Sequence, residues 1–260
     1  MIIKEKIALV TGAGSGLGND FASALLKEKA AAVCLVDIVE NGDKIASDLQ
    51  KEFPQSDVTF YHCDVTNHSL FQGAFEFVKK RYGHIDIVCN SAGVAAYDQE
   101  LEASVRALRV NLEAVYYGTK LGMEYMDKEK ARGGVIINIA STAAFYPTDS
   151  GMCYNASKAG CVSLTQSAGS RYNLERCGVR VNALCPSLVD TPMISSTPGL
   201  REMIAALPNG RHEFLSIKAV VQGFLQLVEN AELFGVAMAI TPWSGTSIIR
   251  NNQNYITFEM

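Results

Sequence analysis

The fold of this chain is decided by the stretch Thr-Gly-Ala-Gly-Ser-Gly-Leu-Gly at residues 11–18. The apolar run Ile7–Thr11 precedes it, and a helical pattern that we place at Leu17–Lys29 follows it. Glycines at such a junction let the backbone turn sharply and approach a diphosphate, whose charge then lies at the N-terminus of the helix. Because both flanking elements are present, the stretch predicts the first strand, turn and helix of a dinucleotide-binding α/β fold.

The rest of the chain continues this alternation of strand and helix. Continuously apolar runs predict strands that are covered on both faces: Ala32–Asp37, Val58–Cys63, Ile85–Cys89, Val135–Ile139, Val179–Cys185 and Val236–Ile240. Helical patterns lie between them: Gly42–Phe53, Ser69–Tyr82, Ala103–Met126, Tyr154–Cys177 and Ser216–Asn230. Such alternation implies right-handed crossovers and a doubly wound parallel sheet with helices on both faces. We predict one domain over residues 1–260, ending in a tail at about 242–260.

Composition excludes several other classes of protein. Of 260 residues, 48% are hydrophobic and 19% charged, with a formal net charge of −4, which is typical of a globular and not of a disordered chain. A slightly acidic chain without an extended basic patch is a poor partner for nucleic acid. Apolar runs such as Ala30–Val36 are far shorter than the roughly 18 residues of a membrane span. The charged N-terminus does not resemble a signal peptide, so we expect a soluble, cytoplasmic protein.

The pattern of cysteines and histidines is also compatible with a cytoplasmic protein. The seven cysteines, an odd number, include no Cys-x-x-Cys pair, and the four histidines are scattered along the chain. A structural zinc site or a disulfide framework requires spacings that this pattern lacks. We therefore expect free thiols and no bound metal.

The second predicted strand ends at Asp37, nineteen residues beyond Gly18. A carboxylate at this place accepts hydrogen bonds from the ribose hydroxyls of adenosine and repels a 2′-phosphate. Neither Ser15 nor Ile38 supplies the basic group that a 2′-phosphate would need. The sequence therefore predicts NAD, and not NADP, as the cofactor.

A second constellation consists of Ser141, Tyr154 and Lys158. The four-residue spacing of the last two places them on one face of a helix. A phenol with a pKa near 10 is a poor base at neutral pH, but a cation about 4 Å away stabilises a phenolate by roughly 4 kcal/mol at an effective dielectric constant near 20. Such a pair can act in general acid–base catalysis. On its own this spacing more often marks an ordinary surface pair, and the nucleotide motif upstream makes the catalytic interpretation specific.

Together these residues resemble the short-chain dehydrogenase/reductase family. The resemblance rests on residues 11–18, on Asn-Ser-Ala-Gly at residues 90–93, and on Ser141 with Tyr154-x-x-x-Lys158, and it covers nearly the whole chain. It implies a Rossmann-type sheet of seven parallel strands. It also implies a catalytic tetrad: Asn111, Ser141, Tyr154 and Lys158. In the family the tyrosine takes the alcohol proton, the serine hydrogen-bonds the substrate oxygen, the lysine holds the nicotinamide ribose, and the asparagine positions a water in the proton relay.

By the same resemblance, the adenine, its ribose and the nicotinamide would contact successive segments of the chain. The expected cofactor-binding residues are Gly12, Ser15, Gly16, Leu17, Gly18, Asp37, Ile38, Asp64, Val65, Asn90, Ala92, Gly93, Tyr154, Lys158, Pro186, Val189 and Thr191. Two residues depart from the family pattern, since Ser91 replaces an asparagine and Ser187 replaces the glycine that usually follows Pro186.

We expect the substrate to lie above Tyr154. Four of the seven prolines fall between the sixth strand and the last helix, which predicts a long irregular loop at about residues 187–215. Loops at the carboxyl ends of strands are where α/β sheets bind ligands, although an ordinary surface loop is equally compatible with this pattern. Apolar side chains around the loop suit a lipophilic alcohol. The candidate substrate-binding residues are Ser141, Phe145, Gly151, Met152, Leu188 and Met193.

Three hypotheses about function follow. The first is an NAD-dependent enzyme that oxidises a lipophilic secondary alcohol, allylic ones included, to the ketone; terpenols, oxylipins and fatty alcohols are examples. The second is a carbonyl reductase running in the opposite direction, and the third is a catalytically silent NAD-binding protein. The resemblance also implies a homodimer or homotetramer, paired through the helix that carries Tyr154 and the helix before it. Ala159, Val162 and Leu164–Thr165 are its candidate contacts.

Overall fold

The computed structural model describes residues 1–95, 101–129, 131–147, 151–197, 199–205 and 213–250. These residues build one sheet, in the order β3-β2-β1-β4-β5-β6-β7-β8. Its strands are β1 (Ile7–Thr11), β2 (Ala32–Asp37), β3 (Asp57–His62), β4 (Ile87–Asn90), β5 (Gly134–Ile139), β6 (Val179–Pro186), β7 (Val236–Thr241) and β8 (Gly245–Arg250).

The strands β1 to β7 are mutually parallel, as predicted, whereas β8 pairs with β7 in the antiparallel direction. This eighth strand corrects the expectation of seven parallel strands, and it lies within the tail predicted at about 242–260. Five of its six residues are exposed, so it lacks the continuous apolar run that marks the buried strands. Residues 251–260 of the predicted tail lie outside the described residues.

Helices cover both faces of the sheet. They are α1 (Gly16–Lys27), α2 (Gly42–Glu52), α3 (His68–Tyr82), α4 (Leu101–Leu108), α5 (Ala114–Tyr125), α6 (Met152–Ala168), α7 (Arg171–Cys177), α8 (Pro192–Ser196), α9 (Leu200–Ala205) and α10 (Ile217–Glu229). No helix in the described part of the chain has both the length and the apolar character needed to cross a membrane.

Two predicted helices are each divided in the structure. The segment predicted at Ala103–Met126 forms α4 and α5 with a π-helical turn, Arg109–Glu113, between them. The segment predicted at Tyr154–Cys177 forms α6 and α7. The break between α6 and α7 lies at Gly169, where a β-carbon would come within 2.4 Å of the carbonyl oxygen of Val181. The backbone of β6 therefore passes too close for an ordinary helical residue.

Arg180 anchors the C-terminal end of α10 to β6. Its buried guanidinium donates to four carbonyl oxygens at this end, those of Leu227, Val228, Asn230 and Leu233. A cation is favourable there because the helix dipole is negative at the C-terminus. Burial lowers the pKa of Arg180 to about 10, so the group stays charged at neutral pH.

The strand order places a crevice next to β1, because β2 lies on one side of it and β4 on the other. In open α/β sheets ligands bind outside the carboxyl ends of the strands at such a point. The glycine-rich turn follows β1, and residues 91–95 follow β4. Both segments therefore lie at the edge where a dinucleotide is expected.

Candidate active site

The glycine-rich turn is held in a shape that side chains would obstruct. Gly12 has φ +65°, and a β-carbon on it would lie 2.7 Å from the Cα of Ala92. A β-carbon on Gly18 would lie 2.2 Å from the carbonyl oxygen of Gly12. The turn thus packs against the loop after β4 and folds back tightly onto the start of α1, which is the close backbone approach expected of a phosphate-binding turn.

Asp37 lies directly beside this turn. One carboxylate oxygen accepts from the backbone N–H of Gly14 at 2.8 Å, and the other accepts from those of Ile38 and Val39 at 2.7 and 3.2 Å. A carboxylate has about four acceptor positions, so it can still receive hydrogen bonds from hydroxyls. The side chain of Ile38 is 46% exposed beside it. The turn and the carboxylate are therefore fixed relative to each other.

Thr11 and Asn138 join the loop after β4 to the rest of the site. The hydroxyl oxygen of Thr11 accepts from the backbone N–H groups of Ser91 and Ala92 at 3.0 and 3.1 Å. Asn90 donates to the buried side chain of Asn138 at 2.8 Å. Neither Thr11 nor Asn138 is among the residues predicted from the sequence, although Thr11 is the first residue of the glycine-rich motif. Asn138 carries no sequence signal, since its partners are distant along the chain.

The asparagine of the predicted tetrad lies in the π-helical turn. Asn111 is fully buried; its Oδ1 accepts from the backbone N–H of Val94 and its Nδ2 donates to the carbonyl oxygen of Val94, both at 2.9 Å. A β-carbon built on Gly93 would lie 3.3 Å from Asn111 Oδ1 and 3.7 Å from Lys158 Nζ. Gly93 therefore lies against two members of the tetrad at once.

Tyr154 and Lys158 lie on the first turns of α6, which places them on one side of the helix. The ammonium of Lys158 lies 5.7 Å from the centroid of the Tyr154 ring. It is buried and donates to the carbonyl oxygen of Ile139, the last residue of β5, at 2.9 Å. A positive charge is thus held next to the phenol in a place with little water, where electrostatic interactions are strong.

Ser141 follows β5 at the same edge of the sheet. Its hydroxyl oxygen accepts from the backbone N–H of Ala143 at 3.1 Å and caps the short 3₁₀ turn Thr142–Ala144. The hydroxyl hydrogen remains available for donation, because this contact uses only an acceptor position. Ser141 can therefore donate to an oxygen that enters the site.

The predicted loop at 187–215 is closed at its base. Val189 forms a parallel bridge with Leu215, and the backbone N–H of Leu215 donates to the carbonyl oxygen of Leu188 at 2.7 Å. Residues 198 and 206–212 of this loop lie outside the described part of the chain. The rest contains α8 and α9, so the prolines interrupt the segment without removing all its helical structure.

The start of the loop, residues 187–193, reaches both halves of the cofactor crevice. A β-carbon built on Gly16 would lie 3.7 Å from Cβ of Thr191. One built on Gly93 would lie 3.9 Å from the terminal methyl of Met193. This segment therefore extends from the tetrad to the glycine-rich turn.

The other candidate substrate residues are placed around the N-terminus of α6. Phe145 packs against the core cluster that contains Cys185. Gly151 precedes α6 with φ +88°, and Met152, the first residue of the helix, is 67% exposed.

On the side of the crevice where the adenine is expected, the Asp64 carboxylate accepts from the N–H and hydroxyl of Thr66 at 2.9 and 2.8 Å. Val65 is buried beside it.

Comparison with known families decides the relationship. The family model described as short chain dehydrogenase matches residues 6–199, which contain the turn, Asp37 and all four tetrad residues. The chain belongs to the short chain dehydrogenase family. The resemblance inferred from the motifs is thereby confirmed, and the chain is an oxidoreductase of that family.

Individual relatives of this short chain dehydrogenase span nearly its whole length. It is 36% identical to mouse 15-hydroxyprostaglandin dehydrogenase [NAD(+)] over 256 residues, which are 94% of this chain and 93% of the mouse protein. It is 33% identical to trans-4-hydroxycyclohexanecarboxylate dehydrogenase from Sinomonas cyclohexanicum, over 92% of both chains. The crystal structure of an NADPH-dependent 3-quinuclidinone reductase from Rhodotorula rubra superposes with a TM-score of 0.80 at 26% identity, over 92% of this chain and 91% of the other.

Proposed function

We propose that this protein oxidises a lipophilic secondary alcohol to the ketone with NAD as the hydride acceptor. The observation that carries the proposal is the buried ammonium of Lys158 beside the Tyr154 ring, at the sheet edge that also bears the glycine-rich turn and Asp37. A proton-accepting group and a dinucleotide site on one edge are the two components that such an oxidation needs.

The residues of the crevice fit NAD. Four of the seven residues from Gly12 to Gly18 are glycines, and those at Gly12 and Gly18 have no room for a β-carbon, which is the close-packed turn that a diphosphate requires. The Asp37 carboxylate lies beside the turn, where it favours free ribose hydroxyls over a 2′-phosphate. When bound, NAD accepts the hydride that leaves the alcohol carbon. The cofactor predicted from Asp37 agrees with the NAD(+) named for the 15-hydroxyprostaglandin dehydrogenases.

The side chains of the tetrad would move and hold the proton. In our proposal Tyr154 removes the hydroxyl proton of the substrate at its phenolic oxygen, and Ser141 donates a hydrogen bond to the same substrate oxygen. The positive charge of Lys158 favours a phenolate next to it. Asn111, held by its two hydrogen bonds to Val94, keeps the π-helical turn against Gly93 and Lys158. Residues 187–193, which reach from the region of Gly93 to that of Gly16, would exclude water from this space.

The class of substrate is inferred from the side chains near the tetrad. Phe145, Leu188 and Met193 are apolar, and the thioether of Met193 reaches the region of Gly93. Apolar walls with a few hydrogen-bonding groups favour a lipophilic alcohol, such as a terpenol, an oxylipin or a fatty alcohol. Two relatives carry names that denote dehydrogenation of an oxylipin hydroxyl and of a cyclic alcohol, which is compatible with this class.

Steady-state assays with a panel of these alcohols and the matching ketones test the proposal. We expect reduced nicotinamide to form from NAD, with little or no activity with NADP, and Tyr154→Phe to lose at least about 100-fold in kcat/KM. Tyr172→Phe, an exposed tyrosine on α7, serves as the control. A reaction that favours the ketone and NADPH would establish the reductase instead. Tight NAD binding with no turnover of any compound would establish a silent binding protein.

We also propose that the protein forms homodimers in the cytoplasm. An apolar groove of about 500 Å³ crosses α4, the π-helical turn, α5 and α6; it is lined by Val105, Leu108, Arg109, Leu112, Glu113, Tyr116 and Leu164. Two of the contacts suggested by the sequence, Val162 and Thr165, are buried within the subunit, whereas Ala159 is exposed. Light scattering should give twice the subunit mass, and Tyr116→Arg should shift the protein to the monomer. A monomeric parent protein would contradict the proposal.

A further inference from the structure

Trp243, the only tryptophan of the chain, lies in the loop of the hairpin that joins β7 to β8. The last pair of the ladder is Thr241 with Gly245, so the loop consists of the three residues between them. The Thr241 hydroxyl oxygen accepts from the backbone N–H of Ser244 at 3.0 Å, and Gly245 has the left-handed φ of +66°. This tight loop places Trp243 beyond the carboxyl end of β7, where its side chain is 48% exposed.

The hairpin loop stands between two segments that flank the tetrad. The 3₁₀ turn Thr142–Ala144, which follows Ser141, lies against β6 and β7 on the side of the sheet that α6 covers. Val189 and Leu215, the paired base of the loop that follows β6, belong to the core cluster on the opposite side, beneath α10. In the proposed function the substrate lies between these two segments, so the hairpin loop borders the same space.

The strand order indicates the direction in which a long substrate extends. The dinucleotide crevice lies next to β1, whereas Tyr154 and Lys158 lie at the end of β5. Because the dinucleotide takes the side toward β1, an alcohol whose hydroxyl is held at Tyr154 and Ser141 extends toward β6 and β7. Neighbouring strands are about 4.8 Å apart, so β7 lies about 10 Å from β5. A long alkyl chain spans that distance and a short one does not.

Trp243 is one of several large apolar side chains that are exposed at this edge of the sheet. Tyr146 follows the 3₁₀ turn, Met152 begins α6 and Phe214 precedes the loop base, and all three are exposed. Exposed apolar residues that share one region mark binding sites, whereas isolated ones need no explanation. Trp243 offers the largest apolar surface of the four, on a rigid ring.

We propose that Trp243 is a specificity-determining residue that contacts the apolar part of the substrate remote from the reacting hydroxyl. An alkyl chain that reaches the indole ring removes apolar surface of both partners from water, so affinity rises with the length of the chain. A short alcohol binds at Tyr154 and Ser141 without reaching the hairpin. The inference rests on the proposed NAD-dependent function and adds to it a residue that selects long lipophilic alcohols.

The fluorescence of the single tryptophan tests the contact without turnover. With NAD at saturation, decan-2-one and butan-2-one bind without reacting, because ketone and cofactor are both already oxidised. We expect a saturable blue shift of the emission with decan-2-one, as the ring of Trp243 leaves water, and no shift with butan-2-one. An emission maximum that stays constant up to the solubility limit of decan-2-one overturns the contact.

Steady-state kinetics of variants test the effect on selectivity. The measured quantity is the ratio of kcat/KM for decan-2-ol to that for butan-2-ol, with NAD. We expect Trp243→Ala to lower this ratio by about 5- to 30-fold and Trp243→Phe, which keeps an aromatic ring, to lower it by less than about threefold. The control is Ile248→Ala, an exposed residue of β8 that pairs with Met238 on the α10 side of the sheet. It should keep the ratio of the parent.

The outcomes separate this inference from the proposed function. A ratio in Trp243→Ala within about twofold of the parent's overturns the role of Trp243, while turnover of the alcohols keeps the dehydrogenase function. Where the parent oxidises neither of the two alcohols, the emission with decan-2-one decides: a saturable shift keeps the contact and a constant emission overturns it. No turnover of any alcohol or ketone in the wider panel overturns the proposed function.

Discussion

Lys158 donates from Nζ to the carbonyl oxygen of Ile139 at 2.9 Å, which ties the helix carrying Tyr154 to the end of the central strand β5. This single contact fixes the position of the charge as well as that of the helix. A lysine on a flexible stem loses rotamer freedom when it is fixed in this way, but the fixed charge then needs no rearrangement during the reaction.

Replacing Lys158 should therefore remove activity more than stability. We expect Lys158→Met to lower kcat/KM by roughly 10²- to 10⁴-fold while the protein stays folded, because the phenol of Tyr154 loses its neighbouring cation. Lys120→Met, an exposed lysine on α5, should keep the activity of the parent. Steady-state assays with circular dichroism measure both effects. Equal activity of the two variants would show that Lys158 has no catalytic role.

Gly12 and Gly83 form a matched pair for testing the phosphate-binding turn. Both have positive φ, +65° and +83°, but a β-carbon on Gly83 would have nothing within 4 Å, whereas one on Gly12 would press on Ala92. Each change to alanine should cost about 1 kcal/mol of unfolding free energy for the left-handed backbone. Only Gly12→Ala should lose further stability and weaken NAD binding, by 10-fold or more in calorimetry. Equal NAD affinity in the two variants would mean that the turn does not contact the cofactor.

Arg180 offers a test of stability away from the crevice. Arg180→Leu removes the donor to the carbonyl oxygens of Leu227, Val228 and Asn230, whereas that of Leu233 keeps a hydrogen bond from Asn182, and we expect a loss of roughly 3–5 kcal/mol in urea unfolding. Arg176→Leu, an exposed arginine on α7, should change the free energy of unfolding by less than about 0.5 kcal/mol. A similar small change for both would show that the carbonyl groups find other partners.

The thiols should differ sharply in reactivity. Burial raises the pKa of Cys34 and Cys63 to about 12 and that of Cys161 to about 11, whereas Cys153, beside Tyr154, is partly exposed. Since a thiolate forms only near or above its pKa, these three thiols stay protonated at pH 8, and at pH 9 as well. Cys89, Cys177 and Cys185 are buried as well, so iodoacetamide should modify Cys153 alone in the folded protein, as peptide mass spectrometry would show. Modification of Cys161 without unfolding would contradict the buried arrangement around α6.

The sequence predicts the part of the site whose residues are close along the chain. The turn at 11–18 and the pair Tyr154 and Lys158 depend on local spacing, and the structure places them as the spacing indicates. The apolar strands were likewise recognisable, because residues covered on both faces leave a continuous pattern. Local spacing thus accounts for most of the fold and for the core of the candidate site.

What the sequence does not reveal depends on contacts between distant residues. Asn138 binds Asn90 and Thr165, which are 48 and 27 residues away, and no spacing rule connects them. The strand β8 is stabilised by pairing with β7 and not by burial of its own side chains, so its residues carry no strand signal. The sequence also does not reveal the π-helical turn, because its apolar pattern continues that of α4 and α5.

That π-helical turn has a consequence for how the gene can vary. Five residues, Arg109–Glu113, fit where an α-helix would place fewer per turn, so the turn holds an extra residue relative to a regular helix. Substitutions within it change a side chain, but the loss of one residue would remove that extra residue and return the turn to a regular α-helix. Asn111 would then no longer face Val94. We therefore expect the segment to tolerate substitutions better than changes of its length. In relatives that keep this site, insertions and deletions should lie on either side of it.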